Sequence, residues 1–209
     1  MEYYVKNETV SEIVINKSRF IAILIPFHDK VLLQARLSQV KFKYPAATHY
    51  CYAYLIGNKL MQTGGFSDDG EPVKTAGQPI FDAIIANKIY DCLLVVVRYF
   101  GGIMLGAGGL IRAYKKSALA VCINALLYNK HIFDTFRVEV SYQQFDNLNY
   151  LITNQELVCK ITSKTFDSII TCTILIKKGY TFADIIPLKY IIGYKNLNEE
   201  VAEYNLVTN

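Results

Sequence analysis

Residues Val95–Tyr114 read VVVRYFGGIMLGAGGLIRAY. An apolar run of strand length meets a Gly101-Gly102 turn, then a second glycine cluster, then helical spacing. Gly102, Gly106, Gly108 and Gly109 fall within eight residues, directly after Gly101. Glycine gives up backbone restriction. Spent just ahead of a helix, it predicts a concave set of N–H groups at the positive helix end, where an anion fits. The cluster has no glycine at the sixth place of Gly106–Ile111, and no Gly-Lys-Ser/Thr follows, so it is neither a dinucleotide fingerprint nor a phosphate loop. Anion contacts are expected from Gly101, Gly102, Gly106, Gly108 and Gly109. Arg98 and Arg112 would clamp a phosphate or carboxylate, and Tyr99 would add a ring for stacking. The alternative is that the glycines serve only to pack the strand–helix corner tightly.

Upstream, Ser67–Ile80 reads SDDGEPVKTAGQPI. Asp68, Asp69 and Glu71 lie within four residues, bracketed by Gly70, Pro72, Gly77 and Pro79. Like charges this close need solvent, a cation or a basic partner. The reading preferred here is a structural clamp, Asp68, Asp69, Glu71 and Thr75 locking the glycine loop through Arg98 or Lys74. A divalent cation is the alternative, although adjacent aspartates point different ways and make a poor bidentate site. Asp69 with Glu71 is the best carboxylate pair for acid–base work. His49 and Cys51, two apart on a strand, share a face, as a nucleophilic pair would require. A core histidine beside a core cysteine is the plainer reading. His28 and His131 gather no ligands, and no metal site is expected.

The chain of 209 residues carries 22 basic and 18 acidic groups. Fifteen basic and ten acidic residues precede Phe136, against seven and eight after it, a bias too mild to mark a dedicated nucleic-acid binder. Five scattered cysteines without a CxxC pair read as buried, reduced thiols of a cytoplasmic protein. MEYYVKNETV lacks the layout of a signal peptide, and no apolar run approaches membrane-spanning length.

Hydrophobic spacing predicts strands at 8–15 and 19–25 around an Asn16-Lys17-Ser18 turn, and a helix from the cap Asp29 to Lys43. A hairpin is expected over 49–56 and 59–63, a helix at 79–87, a strand at 92–97 and a helix at 110–126. Asn129–Thr135 reads as a polar break, placing a boundary between domains 1–133 and 134–209. The second part reads strand 136–142, helix 145–154, strands 157–166 and 169–177, helix 182–188 and strand 190–195. That βαββαβ order is ferredoxin-like, and the fold class is α+β with two domains.

The ordered motifs SDDGEP, TAG, VVVRYFGG and LGAGGLIRAY, with KSRFIA at 17–22 and ATHYCYAY at 47–54, resemble the YigZ/IMPACT family, bacterial YigZ-like branch. The resemblance covers most of the first 130 residues. Lys74 stands where that family often has glycine, and Gln78 where a basic residue is common. The resemblance implies an N-terminal α/β sandwich, similar to the second domain of a small-subunit ribosomal protein and shared with GHMP kinases. It also implies a C-terminal ferredoxin-like domain similar to those of elongation factor G. Eukaryotic relatives restrain the general-control initiation-factor kinase through a partner protein. The function implied is therefore a non-enzymatic regulatory protein contacting RNA, the ribosome or a translation-control protein through the groove between the two loops. No cofactor is expected beyond a bound phosphate or divalent cation. The alternative is an enzyme holding a phosphorylated or carboxylated small molecule at the glycine loop, with Asp69, Glu71 or His49 as catalytic groups.

Overall fold

The computed structural model describes residues 2–155 and 158–207, which divide into two compact units. One spans Met1–Asn129 with Leu206–Asn209, the other Lys130–Asn205.

The first unit is built on an antiparallel sheet. Strands β2 (Thr9–Ile15) and β3 (Ser18–Pro26) form a hairpin whose turn residues Asn16 and Lys17 both take positive φ (46° and 63°). That sense of turn matches the right-handed strand twist. Asp29 caps a short 3-10 turn by accepting from the Val31 N–H (2.9 Å), and α1 (Leu33–Lys43) continues from it. Then come β4 (His49–Gly57), β5 (Gln62–Ser67), α2 (Gly77–Ala86), β7 (Cys92–Tyr99) and α3 (Gly106–Asn124). The sheet order is β2-β3-β7-β4-β5, so β7 lies at the centre. Its apolar run 92–97 is fully buried because both faces are covered. Ile21, Ile23, Val95 and Val97 pack against Leu33, Leu37 and Val40 of α1. The alternate residues face α2 and α3, where the rings of Phe20 and Tyr114 meet edge to face, 5.3 Å apart. Short strands β1 (Tyr3–Tyr4) and β6 (Ile89–Tyr90) pair in parallel, and Tyr4 also pairs with Tyr128.

Several boundaries differ from the sequence reading. The return strand is 62–67, not 59–63, because Asn58 Oδ1 accepts from the Leu60 and Met61 N–H groups and turns the chain first. The helix placed at 110–126 begins at Gly106, so Gly106, Gly108 and Gly109 form its first turn rather than a loop ahead of it. Gly106 opens that turn with φ 64°, a conformation cheap only for glycine. Gly101 has a different reason: a Cβ there would sit 2.0 Å from the Lys17 carbonyl carbon.

The polar break read at Asn129–Thr135 is strand, part of β8 (Tyr128–Val140), whose residues from Lys130 on belong to the second unit. Ladder bonds to β10 (Ile170–Lys177) hold this segment whatever its polarity, with Phe133 opposite Lys177 and Thr135 opposite Leu175. The second unit adds α4 (Tyr142–Thr153), β9 (Cys159–Phe166), α5 (Phe182–Ile185) and β11 (Gly193–Leu206). The strand expected from Leu157 starts, within the described residues, at Cys159; Leu157 itself lies outside them. The strand order β11-β8-β10-β9 with this βαββαβ sequence is the ferredoxin-like arrangement. Its core joins Val138, Val140, Leu148, Cys172, Ile174 and Phe182.

All five cysteines are buried and free. Burial pushes the Cys51 and Cys122 thiols up to about 12 and Cys159 up to about 11, from a usual 9.0. Two outcomes are expected. A thiol-reactive dye will label no cysteine of the native protein and all five after denaturation. Because the folded state holds these protons longer, resistance to urea will be fully present below about pH 9 and will fall as pH rises from there toward 12. Rapid native labelling, or stability that climbs across this window, would contradict the buried assignment.

Candidate functional site

The acidic segment leaves β5 at Ser67 and turns through Asp69 (φ 42°) and Gly70 (φ 86°). Its three carboxylates then part company. Asp68 Oδ1 accepts from the backbone N–H groups of Ala76 (3.0 Å) and Gly77 (2.8 Å), and Oδ2 from that of Lys74 (2.8 Å). It thereby satisfies donors that the start of α2 leaves open, which is why α2 begins two residues before the Pro79 start read from sequence. Asp69 Oδ2 accepts from the Tyr50 N–H (2.7 Å), tying the loop to β4. Thr75 Oγ1 donates to the Pro72 carbonyl (2.6 Å) and closes the turn.

Glu71 turns inward and is buried. Its Oε1 accepts from Arg98 Nη1 (2.5 Å) and from the Tyr114 hydroxyl (2.7 Å), and lies 3.8 Å from His49 Nε2. Arg98 is 5% exposed, with its guanidinium over the rings of Phe20 and Phe100. Its Nε has no hydrogen-bond partner among the described residues. His49 stands opposite Arg98 in the β4–β7 register, and its Nδ1 donates to the Asp69 carbonyl (2.8 Å), leaving Nε2 toward Glu71. The Cys51 thiol donates to the Asp68 carbonyl (2.9 Å) and not to His49. With burial pushing its pKa to about 12, Cys51 stays a neutral thiol and the nucleophilic pair does not form. Burial likewise pushes the Tyr114 phenol upward, with Cys51 and Glu71 adding to the effect.

His49, Glu71 and Arg98 line a pocket of about 260 Å³. Thr48, His49, Glu71 and Arg98 supply its polar groups; Pro72, Phe100, Met104, Leu105 and Leu110 are among its apolar walls; Gly106 and Ala107 bring the N-terminal turn of α3 to its edge. Of the residues singled out from sequence, Arg98, Glu71, His49 and Gly106 therefore meet. The others do not line this pocket. Tyr99 follows Arg98 on β7 and so faces the α1 side of the sheet, donating its hydroxyl to the Pro45 carbonyl. Arg112 lines a separate groove with Ile15, Asn16 and Lys116. The Gly101 N–H is already committed to Ser18 Oγ (3.1 Å), and Gly102 lies in the turn before the helix. Gly108 and Gly109 sit in the first turn of α3, Gly109 on the Arg112 side. Asp68 and Asp69 spend their oxygens on backbone donors. Among the described residues, no group of three His, Cys, Asp or Glu side chains is placed to hold a metal ion.

The sequence reading missed Tyr114, which joins Glu71 to α3. Its signal was available: Tyr114 is four residues after Leu110, on the same buried helix face, where a phenol needs a partner.

The Impact N-terminal domain model matches residues 16–122, about half of the chain, and takes in every residue of this pocket. The chain belongs to the IMPACT family. It is 47% identical over 116 residues to "IMPACT family member YvyE" of Bacillus subtilis, covering 55% of this chain and 52% of that protein. It is 34% identical over 139 residues to "IMPACT family member YigZ" of Escherichia coli, covering 66% and 68%. The chain thus spans about half the length of the first relative and about two thirds of the second. A solved structure described as a crystal structure of an hypothetical protein is similar in fold, at 28% identity and TM-score 0.60, covering 84% of this chain and 86% of that one.

Glu71→Ala will destabilise the protein in urea by ~3–5 kcal/mol, because it strands a buried guanidinium. Asp68→Ala will cost a smaller ~1–2 kcal/mol, the scale of a lost helix cap. Lys74 holds φ 60°, so Lys74→Gly will be neutral or stabilising by up to ~1 kcal/mol. Equal and small losses for the two acidic variants would show that the pair with Arg98 is not a structural hub.

Proposed function

We propose that this chain is a non-enzymatic regulatory binding protein of the cytoplasm, acting in the control of translation and meeting RNA, the ribosome or a translation-control protein. Family membership supplies the link to translation, through the regulatory role that the IMPACT resemblance implies. The observation that carries the binding mode is the outward face of α3. Arg112, Lys115 and Lys116 are exposed there at one helical spacing, beside Leu119, Ala120 and Ile123. Arg98, by contrast, is buried and already paired, so a phosphate backbone would be met by the α3 cations and not by the groove expected from sequence. Phosphate contacts require accessible charge.

A second reading, an enzyme for a small phosphorylated or carboxylated substrate, draws on the pocket where His49, Glu71 and Arg98 meet. Asp69 has no part in that reading, since it does not line the pocket.

The test is co-sedimentation with ribosomes and with bulk RNA at low and moderate salt. Wild type will bind in a salt-sensitive way, and Lys115→Glu/Lys116→Glu will bind more weakly with a shallower salt slope, reduced by about one for each lost phosphate contact. Folded wild type that fails to sediment under any condition, or a double variant that binds like wild type, would rule out direct contact through this face.

A further inference from the structure

We propose that the pocket at the start of α3 is a receptor for a small carboxylic acid with an apolar body. The carboxylate would lie between Arg98 and the first amides of α3, and the body against Phe100, Met104, Leu105 and Leu110.

Three observations support the carboxylate. Arg98 lines the pocket while almost wholly buried, and only its Nη1 is hydrogen-bonded among the described residues, to Glu71. Its Nε is without a partner. Nε is itself enclosed, so an incoming carboxylate would be met by the N–H groups of Nη2, the guanidinium nitrogen that is neither enclosed nor bonded among the described residues. The N–H groups of the first helical turn, including those of Gly106 and Ala107, lack intrahelical acceptors by geometry, and Leu105 before them offers no side-chain cap. They present donors and partial positive charge at the edge of the same pocket.

Charge decides between carboxylate and phosphate. The titratable groups lining the pocket are His49, Glu71 and Arg98. Glu71 already balances Arg98 at 2.5 Å. A dianion would add two negative charges beside the Glu71 carboxylate in a partly dehydrated site, whereas a monoanion adds one, which the remaining guanidinium N–H groups and the helix-end amides can meet.

Shape decides the body. Most of the wall is apolar, and a volume near 260 Å³ is small for a ligand site, enough for one ring or a short chain. Met104 is 89% exposed at the rim and able to fold over an occupant. The pocket and the basic face of α3 share no charged residue, so failure of one proposal leaves the other standing.

The experiment uses the whole chain, with hydrocinnamate as the probe, the matching alcohol phenylpropanol as the uncharged control and inorganic phosphate as the competing anion. Amide spectra and the Arg98 Nε–H signal report binding. Hydrocinnamate will shift the signals of Gly106, Ala107 and Arg98 Nε–H in a saturable titration. The alcohol will bind at least about tenfold more weakly, the scale of one lost bond to a charged group. Phosphate in equal amount will not displace the acid. Ala107→Phe, at an exposed position of the first helical turn, will fill the pocket and abolish binding while melting like wild type. Equal binding of acid and alcohol, displacement by phosphate, undiminished binding by Ala107→Phe, or no shift with hydrocinnamate would each overturn the proposal.

Discussion

The contact on which the rest of this site depends is the buried pair of Glu71 and Arg98. Arg98 is the last but one residue of a central strand whose preceding residues are wholly apolar and buried, so its charge has no route to water back along β7. Among the described residues, Glu71 supplies the only countercharge within bonding distance, and the Tyr114 hydroxyl shares the same oxygen. One carboxylate thereby links the acidic loop, the sheet and α3. Such a pair seldom adds net stability over a well-packed apolar alternative, because desolvation offsets the Coulomb gain. Its consequence is positional: every arrangement of the loop that moves Glu71 away leaves a buried cation, so the loop has one low-energy seat.

The other two carboxylates show how three like charges survive within four residues. Asp68 is spent on the open donors of α2, Asp69 on a donor of β4, and each lies in a different direction because the backbone turns through positive φ between them and Glu71. The loop is thus pinned at three places by three different kinds of donor: a helix end, a strand amide and a guanidinium. Of the two basic residues named for a clamp, Arg98 bonds the loop through its guanidinium and Lys74 through its backbone N–H.

Most of the scaffold was legible. The apolar runs of β3 and β7, the Asn16-Lys17 turn and the Asp29 cap carry local signals that tertiary structure did not override. The errors have physical causes. Gly106, Gly108 and Gly109 have poor helix propensity, yet they form a helical turn because Leu110, Ala113 and Tyr114 anchor the rest of α3 on the sheet. The last strand was read at 190–195 but runs 193–206; its continuation is largely polar and exposed, so no hydrophobic alternation extends the reading, and what makes it strand is its pairing with β8. The sequence reading placed Arg98, Tyr99 and Arg112 together; period-two alternation alone separates Arg98 from Tyr99, whereas the distance between Arg112 and the pocket depends on how α3 lies on the sheet, which no local pattern contains.

The placement of cations sorts the partners that each surface can take. A nucleic-acid strand presents its phosphates at fixed intervals outside its bases and gains affinity by exchanging counterions for accessible Lys and Arg. A guanidinium that is 5% exposed and balanced by a carboxylate cannot make that exchange without breaking its own pair. It can accept a single small anion that arrives without a chain behind it, because the attraction is then short-ranged and the apolar walls supply the remaining affinity. The cations of α3 have the opposite character: exposed and close to water, they are cheap to bring together with a charged surface and weak in isolation. A helix with a recessed, neutral-on-balance pocket at one end and an open basic face along its length is therefore two recognition surfaces, and the buried Glu71–Arg98 pair is what keeps the first from acting as the second.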